Sequence, residues 1–158
     1  RKISHNIAKL KIALENNKDT PVLSLGNLEA KRDWSDAEDF MSGVWAMLNQ
    51  EEPKNYVLAS GETHTIREFL EECLKVAEID FEKEGEGEEE KYYLSDPRDP
   101  SARNLVVKID PKFYRPAEVH LLCGDPFTAE KELNWKRHTD FKGLVKKMYN
   151  NDYKILSK

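Results

Sequence analysis

The sequence predicts a mixed α/β fold, and three observations carry that prediction. β-prone runs at Val22-Leu23-Ser24-Leu25, Tyr56-Val57-Leu58-Ala59 and Leu105-Val106-Val107-Lys108-Ile109 are interleaved with stretches of helical period. Glycine turns and capping pairs stand between them, and strand, glycine turn, capped helix is the repeating unit of a parallel α/β sheet. The 158 residues are 39% hydrophobic and 35% charged, enough for one domain with a real core or for one part of a larger fold.

Ile3, Ile7, Leu10 and Leu14 fall on one stripe, so residues 3–17 read as a helix, which Thr20-Pro21 ends. The Val22–Leu25 strand then feeds the polar loop from Gly26 to Trp34. Ser35 with Glu38 reads as a capping box opening a second helix. Its broad apolar face, Phe40, Met41, Val44, Trp45 and Leu48, belongs to a well-buried helix. Arg32 would then lie just before a positive helix end, and the two together would attract an anion.

The continuous run Tyr56–Ala59 suits a strand covered on both sides. Ser60-Gly61-Glu62 turns the chain into a third helix, capped by Thr65 with Glu68 and periodic to Ala77. Residues 84–104, with a Glu/Gly run and then Asp96-Pro97-Arg98-Asp99-Pro100, read as a flexible acidic loop. Strand character returns at Leu105–Ile109. Asp125-Pro126 starts a short helix, and Phe141, Leu144, Val145, Met148 and Tyr149 line a last one over about 140–150.

Composition excludes several functions. The net charge of −5 equals the five acids between Glu84 and Glu90, leaving a balanced remainder with no one-sided basic cluster for nucleic acid. No apolar run approaches the ~20 residues of a membrane span, so the cytoplasm is the expected location. Cys73 and Cys123 lack a C-x-x-C partner and read as reduced thiols. His120 and Cys123 alone make no metal site. There is no G-x-x-G-x-x-G, Tyr-x-x-x-Lys, G-x-S-x-G, H-E-x-x-H or Walker loop, so no catalytic, cofactor-binding or metal residue is assigned. His64 reads as an ordinary packing residue.

One stretch does suggest chemistry. In Phe113-Tyr114-Arg115-Pro116-Ala117-Glu118, Pro116 stiffens the backbone and drives Arg115 toward an extended conformation. Its guanidinium fork suits a phosphate, and Glu118 could accept from a ribose diol. A surface Arg and Glu beside a turn proline is the alternative. Arg32, in another loop, would supply a second guanidinium, a pair better suited to binding a diphosphate than to making bonds.

These residues also carry a resemblance. The chain resembles the C-terminal half of the GDP-mannose 4,6-dehydratases, which are extended short-chain dehydrogenase/reductases. It runs from Arg1-Lys2-Ile3 through Leu25-Gly26-Asn27-Leu28-Glu29-Ala30-Lys31-Arg32-Asp33-Trp34, which is specific to the family, and Ser60-Gly61-Glu62-Thr63-His64. Tyr114-Arg115-Pro116-Ala117-Glu118, a more widely shared element, and Leu133-Asn134-Trp135-Lys136 complete it. The opening at Arg1 agrees with a fragment. The resemblance implies the late sheet elements of a Rossmann-type fold plus a small mixed α/β substrate-binding domain, with 36–77 completing the Rossmann sheet. Apart from the N-terminal half, the apolar faces of such elements would be exposed. It implies Arg32 and Arg115 as diphosphate ligands, Lys2 and Asn27 as nucleotide-side contacts and Glu118 as the ribose ligand of GDP-mannose. NADP and the catalytic Tyr-x-x-x-Lys would belong to the N-terminal Rossmann half, and a dimer or tetramer is expected. The competing readings are another nucleotide-sugar epimerase or reductase of the superfamily, or a non-catalytic helix-rich interaction module.

Overall fold

The computed structural model describes residues 1–96, 99–114, 119 and 121–158. Among the described residues there are five α-helices: α1 (Lys2–Glu15), α2 (Ala37–Leu48), α3 (Ile66–Val76), α4 (Phe127–Leu133) and α5 (Phe141–Leu156). Seven strands accompany them: β1 (Leu23–Leu25), β2 (Lys31–Arg32), β3 (His64–Thr65), β4 (Glu82–Glu84), β5 (Lys91–Asp96), β6 (Asp99–Ile109) and β7 (Leu121–Leu122).

The larger sheet has the order β1-β6-β5-β4, with β1 parallel to β6 and the other pairs antiparallel. β2 is the centre of a small second sheet, antiparallel to β3 and parallel to β7. Helices α1, α3 and α5 pack together through Ile3, Ile7, Leu10, Phe69, Leu70, Leu74 and Val145, in one cluster with Leu23, Leu25, Tyr92, Leu94, Val107 and Ile109 of the sheet. Leu14 packs on its margin. No helix among the described residues is long and apolar enough to cross a membrane.

Both ends of α3 follow from sequence. Thr65 Oγ1 accepts from Glu68 N–H at 3.0 Å while Glu68 Oε2 accepts from Thr65 N–H at 2.6 Å, the capping box its residues predict. At α2 the cap is not Ser35 but Asp36, whose Oδ1 accepts from Glu38 N–H at 2.8 Å. Asp36 also holds Lys147 of α5 at 2.9 Å. A carboxylate already occupies that helix end and Glu38 and Asp39 follow in its first turn, so the dipole attracts its own acids there rather than a ligand.

The acidic loop expected over 84–104 is instead regular: β5 pairs with β6 from Lys91↔Lys108 to Asp96↔Asp99. Tyr92 and Leu94 bury alternate side chains, and a bulge between Tyr92 and Tyr93 lets Val106 and Val107 both turn inward. Glu90, the last of the acidic run, is buried and accepts from Arg67 Nη2 at 2.6 Å and from the Tyr92 hydroxyl at 2.8 Å. Burial and that bond to Glu90 both push the Tyr92 phenol well above its ordinary pKa.

Two elements differ, within the described residues, from the strand and buried helix that their own patterns predict. The 56–59 run joins no sheet, and Val57 is 54% exposed. Helix α2 is not buried all round: Gly43 packs on Leu58 and Trp135, but Met41, Trp45 and Leu48 are 61%, 70% and 75% exposed. Both have the same physical reason, since no strand or helix of the described residues covers that side.

Candidate functional site

The parallel pair β1 and β6 ends with Leu25 beside Ile109, and Asp110 N–H donates to Leu25 O at 2.8 Å. Their continuations, Gly26-Asn27 and Pro111–Phe113, therefore emerge side by side at the carboxyl ends of parallel strands, where α/β sheets bind ligands. A Cβ on Gly26 would lie 2.4 Å from the Phe113 carbonyl oxygen, so only glycine admits this approach. Asn27 Oδ1 accepts from Glu29 N–H at 2.8 Å and shapes the turn.

Lys2, at the start of α1, sets its Nζ 3.7 Å from the centre of the Phe113 ring. Partial burial, and then the nearby Lys112, hold the Lys2 ammonium below its usual pKa, with Asp110 acting in the opposite direction. Lys2 and Gly26 thus converge on Phe113. Arg32, in β2, donates from Nη1 to the carbonyls of Lys31 and Val119, both at 2.7 Å. Arg115 and Glu118 lie outside the described residues, as does His120. Phe113 and Val119 flank the Arg115–Glu118 segment in sequence, and each touches residues expected to act with it.

A residue to which the sequence reading gives no role, Asp33, joins these parts. Asp33 Oδ1 accepts from Ser60 N–H at 2.9 Å and the Ser60 hydroxyl at 2.6 Å, and Oδ2 from Gly61 N–H at 3.1 Å and Gly124 N–H at 3.2 Å. Burial pushes the Asp33 carboxyl up, but the Ser60 hydroxyl and the backbone donors outweigh it and hold it below the usual carboxylate range. Asp33 stands inside the Lys31-Arg32-Asp33-Trp34 motif, yet spacing gives no signal for donors 27, 28 and 91 positions away. The turn ahead of α3 is also not a phosphate cradle, because the Ser60 and Gly61 N–H groups already serve Asp33.

Other candidates resolve as packing. His64 stacks on Phe141 with ring centres 3.8 Å apart. Trp34, a large indole in a polar loop, packs on Phe69 at 5.3 Å and Phe141 at 5.8 Å. Cys73 is buried and Cys123 exposed, both as free thiols. No group of three or more metal-capable side chains occurs among the described residues.

The solved structures that this chain resembles define its class. One, RMD from Pseudomonas aeruginosa complexed with NADPH, matches with a TM-score of 0.70 at 17% identity, over 98% of this chain and 43% of that one. Another, UDP-glucose 4-epimerase from Bifidobacterium longum in complex with NAD+ and UDP, matches with a TM-score of 0.63 at 15% identity, over 98% and 39%. The fold is a mixed α/β arrangement shared with part of each of these Rossmann-type structures.

Sequence narrows this further. The profile of the family described as GDP-mannose 4,6 dehydratase matches residues 1–148, and the chain belongs to that family. It is 44% identical over 135 residues to GDP-mannose 4,6 dehydratase of Dictyostelium discoideum, covering 85% of this chain and 36% of that protein. The Drosophila melanogaster relative is 37% identical over 158 residues, covering 100% and 38%, and the Homo sapiens relative 37% over 156, covering 99% and 39%. The chain thus spans under two fifths of the length of these relatives.

Proposed function

We propose that this chain is the GDP-sugar-binding portion of a cytoplasmic, NADP-dependent GDP-mannose 4,6-dehydratase, a lyase that converts GDP-mannose to GDP-4-keto-6-deoxy-mannose and water on the route to GDP-fucose. The observation that carries this reading is the convergence at the strand ends: Lys2 and Gly26, next to Asn27, meet at Phe113, and Arg32 meets Val119. In it Arg32 and Arg115 clamp the diphosphate, Lys2 and Asn27 contact the nucleotide and Glu118 holds the ribose. Two guanidinium forks match the phosphate oxygens in number and geometry.

NADP does not fit this chain. The sequence has no dinucleotide loop, and the turn before α3 has given its N–H groups to Asp33. In this reading the N-terminal Rossmann half holds the cofactor and the Tyr-x-x-x-Lys pair, residues 36–77 complete the shared sheet, and the enzyme is a dimer or tetramer. The exposed Met41, Trp45, Leu48 and Val57 support that arrangement. This chain by itself is expected to be inactive.

The test uses the protein that includes its N-terminal half. Arg115→Ala should weaken GDP binding by about 1.5–3 kcal/mol in calorimetry, the range for a hydrogen bond to a charged group. Equal affinity in mutant and parent would remove Arg115 from the site. Product analysis with GDP-mannose and NADP should give a 4-keto-6-deoxy sugar, whereas an epimerized or merely reduced sugar would assign a different reaction.

A further inference from the structure

We propose that Asp33 is a positioning residue for nucleotide-sugar binding, holding Arg32 in place by tying its strand to Leu122, Gly124 and the Ser60-Gly61 turn. The assignment rests on the nucleotide-sugar reading above, in which Arg32 and the Arg115 segment act on one ligand.

Val119 and Gly124, which follow Arg115–Glu118 in sequence, are each held by one of two adjacent residues. Arg32 Nη1 holds the Val119 carbonyl at 2.7 Å, and Asp33 Oδ2 holds the Gly124 N–H at 3.2 Å. Between these anchors Asp33 N–H donates to the Leu122 carbonyl at 3.0 Å, within a strand pairing only two residues long. So short a ladder fixes little, and the carboxylate supplies the second, lateral restraint.

That restraint reaches a third segment. Through Oδ1 and Oδ2 the same carboxylate holds the Ser60-Gly61 turn, where Gly61 has φ of +72°. Gly124 in turn lies against Ala59: a Cβ there would be 2.3 Å from the Ala59 Cβ. Asp33 therefore locks Arg32, the turn before α3 and the Leu121–Gly124 stretch into one unit. Each of its four donors is a neutral N–H or O–H, so the charge is spent on geometry rather than on a cationic partner among them.

Asp33→Asn keeps the shape and Oδ1 but turns an amide N–H toward the N–H groups of Gly61 and Gly124. In the protein with its N-terminal half, GDP should bind about tenfold more weakly. KM for GDP-mannose should rise by a similar factor while kcat stays within about twofold, with NADP affinity unchanged. Ser60→Ala, which removes one hydroxyl donor, is the milder variant should the first fold poorly, and should weaken GDP by about threefold. A parent that binds no GDP overturns the nucleotide-sugar reading and this assignment with it. A parent that binds GDP, with both variants equal to it, overturns the assignment alone. Parallel losses of kcat, NADP affinity and GDP affinity overturn it too, since they mark general misfolding.

Discussion

Asp33 and Arg32 are neighbours in sequence with opposite tasks in the folded chain, one spending its charge on four internal donors and the other reaching the Val119 carbonyl. Linkage makes the first task measurable. Because the Asp33 pKa is depressed in the folded state, its contribution to stability is fully present above the ordinary value of 3.8 and is lost as pH falls through the lower folded value. The parent should therefore lose denaturant stability below about pH 4 more steeply than Asp33→Asn; equal slopes would contradict the bonding described. The thiols give a second test. Burial pushes Cys73 up to about 12 while Cys123 is exposed, so iodoacetamide should label Cys123 alone in the native chain and both after denaturation, read by mass spectrometry. At this scale the sequence marks Arg32 by its loop before a helix, and Lys2 and Asn27 only through the family resemblance. It is silent on Asp33, because its partners are brought in by tertiary folding rather than by spacing.

Helices α1, α3 and α5 were legible because their apolar stripes keep helical period, and Thr65 with Glu68 names its own capping box. Thr65→Ala should cost about 1 kcal/mol in a denaturant titration, and an unchanged midpoint would argue against the cap. The β5–β6 hairpin was not legible. The Glu/Gly run and the Pro-containing stretch dominate composition there, whereas what builds the hairpin is the inward alternation of Tyr92 and Leu94 against Val106 and Val107. Its acidic edge is tied down as well: Arg67 joins Glu29 and the buried Glu90, each at 2.6 Å. Removing Arg67 leaves Glu90 buried without its cation, so Arg67→Ala should destabilise by about 3 kcal/mol, the lower part of the range because Arg67 is itself partly exposed. Urea unfolding would measure it, and a loss within the scatter of a surface pair would place Glu90 in water. The Ser35 cap failed for a simpler reason, since Asp36 next to it is the stronger acceptor and has Lys147 to hold it.

On the scale of the molecule, a packed core of three helices and a four-stranded sheet stands beside a side that is left open. Met41, Trp45, Leu48 and Val57 are apolar and more than half exposed, which the periodicity of α2 and the continuous 56–59 run already mark as surfaces meant for burial. No described strand or helix covers that side, and in the proposed reading the N-terminal half is its cover. If the proposed N-terminal half covers this side, Trp45 emission should shift to shorter wavelength in its presence, isolated as the difference between parent and Trp45→Phe; an unchanged difference spectrum would leave the side open. The account as a whole depends on Arg32 and Arg115 gripping one diphosphate. Its most direct test is a calorimetric double-mutant cycle for GDP in the protein that includes both halves. The account predicts that Arg32→Ala and Arg115→Ala each weaken binding by about 1.5–3 kcal/mol and that their effects are coupled in the double variant. Two variants that bind GDP as tightly as the parent would contradict it.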